Sequence, residues 1–132
     1  MILVDTSVWI DFFAGNRTVG VSDLKSAIDD SEDLCICGVV FTEVLQGIRT
    51  DEEFDRVHII LDDLIYLPQE KSTHFLAATI YRAMKKKGKT IRKPIDCIIA
   101  ALCIENSIFL LHNDRDFDFI AGKFPLQRYG GR

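Results

Sequence analysis

Five acidic residues, far apart along the chain, stand in positions where their charge can do chemistry: Asp5, Glu43, Asp96, Asp114 and Asp116. Asp5 directly follows the apolar run Ile2-Leu3-Val4, and Asp114 follows Ile108-Phe109-Leu110-Leu111 with only His112 and Asn113 between. Glu43 lies among Val39, Val40 and Val44, and Gly47 one helical turn on is expected to leave its carboxylate uncovered. Asp96 falls in the first turn of an expected helix, where the helix dipole favours an ionised carboxylate by about 0.3–1 kcal/mol. Each has a plain structural explanation alone: a helix cap for Asp5 or Asp114, a rim acid for Glu43, a dipole partner for Asp96. Gathered in one place, their repulsion would be prohibitive without a cation or shifted pKa values. Carboxylate oxygens without His or Cys select hard ions, magnesium first and manganese as its substitute. Such a cluster suits in-line hydrolysis of a phosphodiester, one metal activating water and another stabilising the leaving oxygen. Thr6 or Ser7 is placed to fix a water or a carboxylate by hydrogen bond, and Asp116 is the candidate fifth acid.

The elements that would position these residues follow from apolar periodicity. Ile2–Val4 and Ile108–Leu111 read as buried strands, Leu34–Cys37 as another strand and Ile65–Leu67 as a strand closed by Pro68, with Phe124–Arg128 as an edge strand that tolerates Pro125. Helices are expected between them. The first is capped by Thr6 or Ser7 and carries Val8, Trp9, Phe12 and Phe13; a weaker one runs over Val21–Asp30. The next follows Gly38 and carries Glu43, and a polar-faced one spans Asp51–Leu64. A long helix runs from Ser72 to a stop at Gly88, and the next has Pro94 as its first residue. A short last one is capped by Asn113 or Asp114. Strands alternating with helices, and apolar throughout, imply an α/β fold: a central parallel sheet of four to five strands covered by helices on both faces. In such sheets ligands bind outside the carboxyl ends of the strands, which is where Asp5 and Asp114 fall.

With 132 residues and no linker, repeat or low-complexity tract, the chain is expected to form one domain, residues 1–132. No apolar run reaches the ~20 residues that span a bilayer. The opening Met1–Asp5 reads as a strand with no basic region or cleavage site before it, so a soluble, cytoplasmic protein with no membrane partner is expected. Cys35, Cys37, Cys97 and Cys103 are expected to be buried free thiols, because no C-x-x-C pair occurs and His58, His74 and His112 show no zinc spacing. The net charge of −4 conceals a division. Between Arg82 and Lys93 stand seven basic residues and no acid, leaving nine basic against twenty acidic residues elsewhere. A basic stretch attracts phosphates while clustered acids recruit cations; the simpler alternative for the lysines is a solvated helix end.

Four stretches together resemble a known family. Met1-Ile2-Leu3-Val4-Asp5-Thr6-Ser7-Val8-Trp9-Ile10-Asp11, the Glu43 helix, Pro94-Ile95-Asp96-Cys97-Ile98-Ile99-Ala100-Ala101 and His112-Asn113-Asp114-Arg115-Asp116-Phe117 look like PIN-domain ribonucleases, and within them like the VapC-type toxins of toxin–antitoxin pairs. The resemblance covers nearly the whole chain in length and motif order. It implies an endoribonuclease toxin that hydrolyses RNA, in which Asp5, Glu43, Asp96 and Asp114 bind magnesium or manganese and Asp116 assists. It also implies a fold similar to 5′-nucleases, a homodimer, and a VapB-type antitoxin as inhibitor. One position departs from the pattern: His112 stands where the last motif often begins with Thr or Ser. That leaves the acids in place and alters the hydrogen bonding around them, with His112 either contacting substrate phosphate or serving the local structure.

Two other classes of function fit part of this pattern. A phosphorylation-receiving signalling domain also carries strand-end acids and magnesium, but it wants an adjacent acidic pair after the first strand and a Lys after the last, and this chain has neither. A degenerate PIN-like binding module would have lost an acid, and all four positions are filled.

Overall fold

The computed structural model describes residues 1–131; Arg132, the last residue of the expected domain, lies outside the described residues. The described residues form five strands and seven helices: β1 (Ile2–Val4), α1 (Thr6–Ala14), α2 (Val19–Asp29), β2 (Leu34–Cys37), α3 (Gly38–Gln46), α4 (Asp51–Asp62), β3 (Ile65–Leu67), α5 (Lys71–Lys86), α6 (Ile95–Asn106), β4 (Phe109–Leu111), α7 (Arg115–Ala121) and β5 (Gln127–Arg128). All strands pair in parallel in the order β3-β2-β1-β4-β5. The chain moves outward from β1 to β2 and β3, then crosses back over the sheet to β4 and β5. Right-handed crossovers therefore place α1–α4 on one face and α5–α7 on the other. The packing of α1 on α2 and α3, and of α5 on α6 and α7, agrees.

The strand order reverses between β1 and β4. Val4 is registered against Leu111, and the Asp5 N–H donates to the Leu111 carbonyl at 2.9 Å. The residues just beyond both strands thus open into the crevice at the topological switch point, where ligands bind in sheets of this kind. β1 and the facing half of β4 are fully buried, as expected of strands covered on both sides. α6 is buried nearly all round, through Cys97, Ile99 and Ala100–Cys103, because it lies between the sheet and α5. All four cysteines are free and buried.

Several boundaries differ from the sequence expectation, each for a local reason. The N-cap of α1 is Asp5 rather than Thr6 or Ser7, and its side chain makes no capping hydrogen bond. α2 begins two residues early because Thr18 Oγ1 accepts from Val21 N at 3.1 Å. α5 begins at Lys71 because Glu70 and Thr73 form a reciprocal capping box. Pro94 is the cap of α6 and not its first residue. β5 is confined to Gln127–Arg128, since Pro125 has no N–H for the ladder. Gly47, expected to expose Glu43, is the C-cap of α3; a Cβ there would meet only the Val44 and Glu43 carbonyl oxygens at 3.9 and 4.0 Å. Glycine matters more at Gly20, where a Cβ would lie 2.6 Å from the Asn113 amide. The missing side chain lets the first turn of α2 seat the loop that carries Asp114.

Candidate active site

Four elements converge on the crevice. Asp5 arrives from the end of β1, Glu43 from the middle of α3, Asp96 from the first turn of α6, and Asp114 and Asp116 from the start of α7. Single carboxylate oxygens of Asp96, Asp114 and Asp116 lie within 4.8 Å of one another, close enough to share one ion. Asp5 and Glu43 fall outside this trio but act on it: both charges press on Asp96, and Glu43 presses on Asp5. Every acid singled out in the sequence is therefore drawn to one locality. Asp116, the fifth candidate, sits in the tight group, while Glu43 stands at its edge.

Burial makes the cluster demanding. Asp5 and Asp96 are each 4% exposed and Asp116 6%. Burial pushes the Asp96 carboxyl up to about 7; the negative charges of Asp5, Asp114 and Glu43 add to this, and Lys93 opposes it. Burial likewise raises Asp5, against the Thr6 backbone N–H and the Ser7 hydroxyl, which favour its ionised form. Among the described residues, two buried side-chain polar atoms have no partner: Trp9 Nε1 and Asp96 Oδ2. An orphaned buried carboxylate oxygen costs about 1–3 kcal/mol or more. Beside two other carboxylates, it matches the donor set of a hard divalent cation.

The surrounding groups fix these carboxylates. Thr6 Oγ1 donates to Glu43 Oε1 at 2.8 Å and Ser7 Oγ to Asp5 Oδ2 at 3.1 Å, so the two hydroxyls orient acids as expected. Asp114 caps α7, its Oδ1 accepting from Asp116 N at 2.9 Å. The same oxygen takes Arg92 Nη2 at 2.8 Å, while the Arg92 backbone N–H donates to Asp116 Oδ2 at 3.0 Å. His112 is 2% exposed; its Nδ1 accepts from Asp114 N at 3.1 Å and its ring packs on Phe117. Burial, then the charge of Arg128, lowers its pKa to about 4, so near neutrality it is an uncharged support for the Asp114 loop.

The role of Arg92 was hidden in the sequence by its membership of the basic run. The structure divides that run. Lys85 and Lys86 end α5 and Lys87 caps it, all exposed, where positive charge also suits the helix dipole. Lys89 lies over the Phe119 ring at 4.3 Å, and Arg92 and Lys93 turn toward the acids. The only signal for this was their position just before Pro94 and Asp96.

The profile of the PIN domain matches residues 2–123. The chain belongs to the PIN-domain family. Within the PIN family it is 32% identical over 129 residues to Ribonuclease VapC11 of Mycobacterium tuberculosis and to VapC ribonuclease Mb1587 of Mycobacterium bovis, covering 96% of both chains in each case. Among solved structures, VapBC2 from Rickettsia felis bound to a promoter DNA fragment superposes with a TM-score of 0.76 over the full length of both chains, at 18% identity. This PIN domain thus shares the fold of the VapBC structure and carries an acidic cluster able to hold a metal ion. Among the described residues, no helix is long and apolar enough to cross a membrane.

Proposed function

We propose that this chain is the toxin of a type II toxin–antitoxin pair, an endoribonuclease that cuts RNA phosphodiesters at Asp5, Glu43, Asp96, Asp114 and Asp116 with magnesium, or manganese in its place. The observation that carries this reading is the trio of buried Asp96 and Asp116 and half-buried Asp114, with its orphaned Asp96 oxygen, at the switch point of the sheet. Asp96, Asp114 and Asp116 would hold the cation, with Asp5 and Glu43 completing the negative surround. When bound, it supplies Lewis acidity to the phosphoryl oxygens and a water of lowered pKa. The chain's own part is to hold the carboxylates aligned. Ser7 and Thr6 hold Asp5 and Glu43 in place, the helix cap holds Asp114, and the Arg92 N–H holds Asp116. The exposed Lys85–Lys87 corner offers charge to the phosphates on either side of the cut.

A VapB-type antitoxin as inhibitor fits the VapBC complexes that share the fold. We assign the full chain, 1–132, to the one PIN domain and its site of action to the cytoplasm. A homodimer is also assigned: Phe75 on α5 is 77% exposed, an apolar side chain that a second copy would cover. Labelled RNA incubated with the pure protein in manganese, in magnesium and in chelator tests the reading. Cleavage in either metal, absent in chelator and absent in Asp96→Asn, is expected. Cleavage that survives in Asp96→Asn refutes the mechanism.

A further inference from the structure

Beside the acid cluster opens a cleft of about 700 Å³ that the mechanism does not use, within the range of ligand-binding pockets. Its two walls begin at the cluster itself. One is the face of α3 made by Thr42, Glu43 and Gln46, so the helix surface that presents the Glu43 carboxylate continues into the cleft. The other wall holds Ile95, next to Asp96. The far side is built by Tyr66 of β3, Gln69 of the loop that follows it and His74 near the start of α5. Tyr66 is 58% exposed on the edge strand, and a Cβ on Gly38 would come within 3.0 Å of its hydroxyl. Glycine at the first position of α3 thus lets the phenol lie close against the helix start.

The lining has a specific chemistry. None of the described residues lining it is Lys or Arg, so it is not made for a phosphate. Gln46 and Gln69 each offer an amide donor and an acceptor, the complement of a nucleobase edge, and Tyr66 offers a flat ring. Single-stranded RNA is read by such groups: unstacked bases lie on aromatic side chains while amides bond their edges.

We propose that this cleft is a nucleobase subsite, receiving one base adjacent to the scissile phosphate and stacking it on Tyr66, with Gln46 and Gln69 reading its edge. It rests on the ribonuclease reading and deepens it, making Tyr66 a residue that sets which sequence is cut. The acids then act on the bond that the seated base brings over them.

The test has a binding arm and a cleavage arm, both with the full chain. In the first, short single-stranded RNAs of mixed sequence carry 2-aminopurine at successive positions and are bound in chelator. One position is expected to lose fluorescence in the parent and in Tyr66→Phe, and to keep it in Tyr66→Ala. In the second, with manganese, Tyr66→Ala is expected to raise KM about tenfold with kcat nearly unchanged, and Tyr66→Phe to stay near the parent. An abasic nucleotide at the quenched position should impair the parent equally and Tyr66→Ala no further. Equal losses in both proteins overturn the subsite. So does an altered oligomeric mass in Tyr66→Ala with RNA binding intact, which would assign the cleft to a second copy. A parent that quenches the probe but cuts no RNA overturns the ribonuclease reading instead and leaves the subsite standing.

Discussion

Replacing Asp96 by Asn separates an acid held for a cation from one that merely complements a helix dipole, because the two predict opposite signs of stability change. Its carboxyl stands at about 7 in the folded protein against 3.8 for the free group, the largest cause being burial and the next the charge of Asp5. Below pH 3.8 both folded and unfolded chains carry the proton and no penalty exists. As pH rises from about 4 to about 7, the unfolded chain releases the proton while the folded chain keeps it, so stability falls across this window. Above about pH 7 the full penalty is present, on the order of 4 kcal/mol for this shift. Asn carries no charge and escapes it. Thermal melts in chelator at pH 8 should therefore show Asp96→Asn melting higher than the parent, by on the order of 10 °C for a domain of this size. The gap should close as pH falls toward 4. Excess manganese should stabilise the parent by about 2.7 kcal/mol at a hundredfold excess over its dissociation constant, and the mutant should lose most of that gain. A mutant that melts below the parent at pH 8 in chelator, and gains as much from manganese, would place Asp96 outside the metal site and make it a helix cap.

Asp5→Asn and Asp114→Asn should each abolish RNA cleavage, with Glu43→Gln close behind; full activity in either Asp variant on labelled RNA would remove that acid from the site. Asp116→Asn should weaken manganese binding by more than about 100-fold, since it removes a candidate ligand outright where loss of a supporting group alone costs 10- to 100-fold; calorimetry reads this directly. Arg92→Gln removes a guanidinium that competes for Asp114, and it should tighten manganese about two- to fivefold, as expected for an exposed ion pair. Weaker binding would show instead that Arg92 holds the carboxylates ready. Changing Lys85, Lys86 and Lys87 together to Ala should make the slope of log affinity for single-stranded RNA against log salt shallower by about two, and an unchanged slope would return them to a solvated helix end.

The sequence by itself determined the layout and the cast. Apolar runs of three or four residues, separated by amphipathic stretches, read as strands alternating with helices, and that alone put Asp5 and Asp114 at carboxyl ends. Periodicity and breakers also located Glu43 and Asp96 on their helices, because those signals are local and each residue carries its own. Position relative to other elements is not local, and there the tertiary structure decided. It selected which pair of strands forms the switch point, since β4 pairs with β1 only after the chain has crossed the sheet. It brought Asp116 into the tight group with Asp96 and set Glu43 at the edge, which depends on how α7 packs against α6. It turned Thr6 and Ser7 from expected caps into supports for Glu43 and Asp5. It divided one basic run into a solvent-facing corner and an arginine clasping two acids. Charge counted along a chain has no direction. Only the fold decides which way each side chain faces, and with it which carboxylates must share a space too small for their own repulsion.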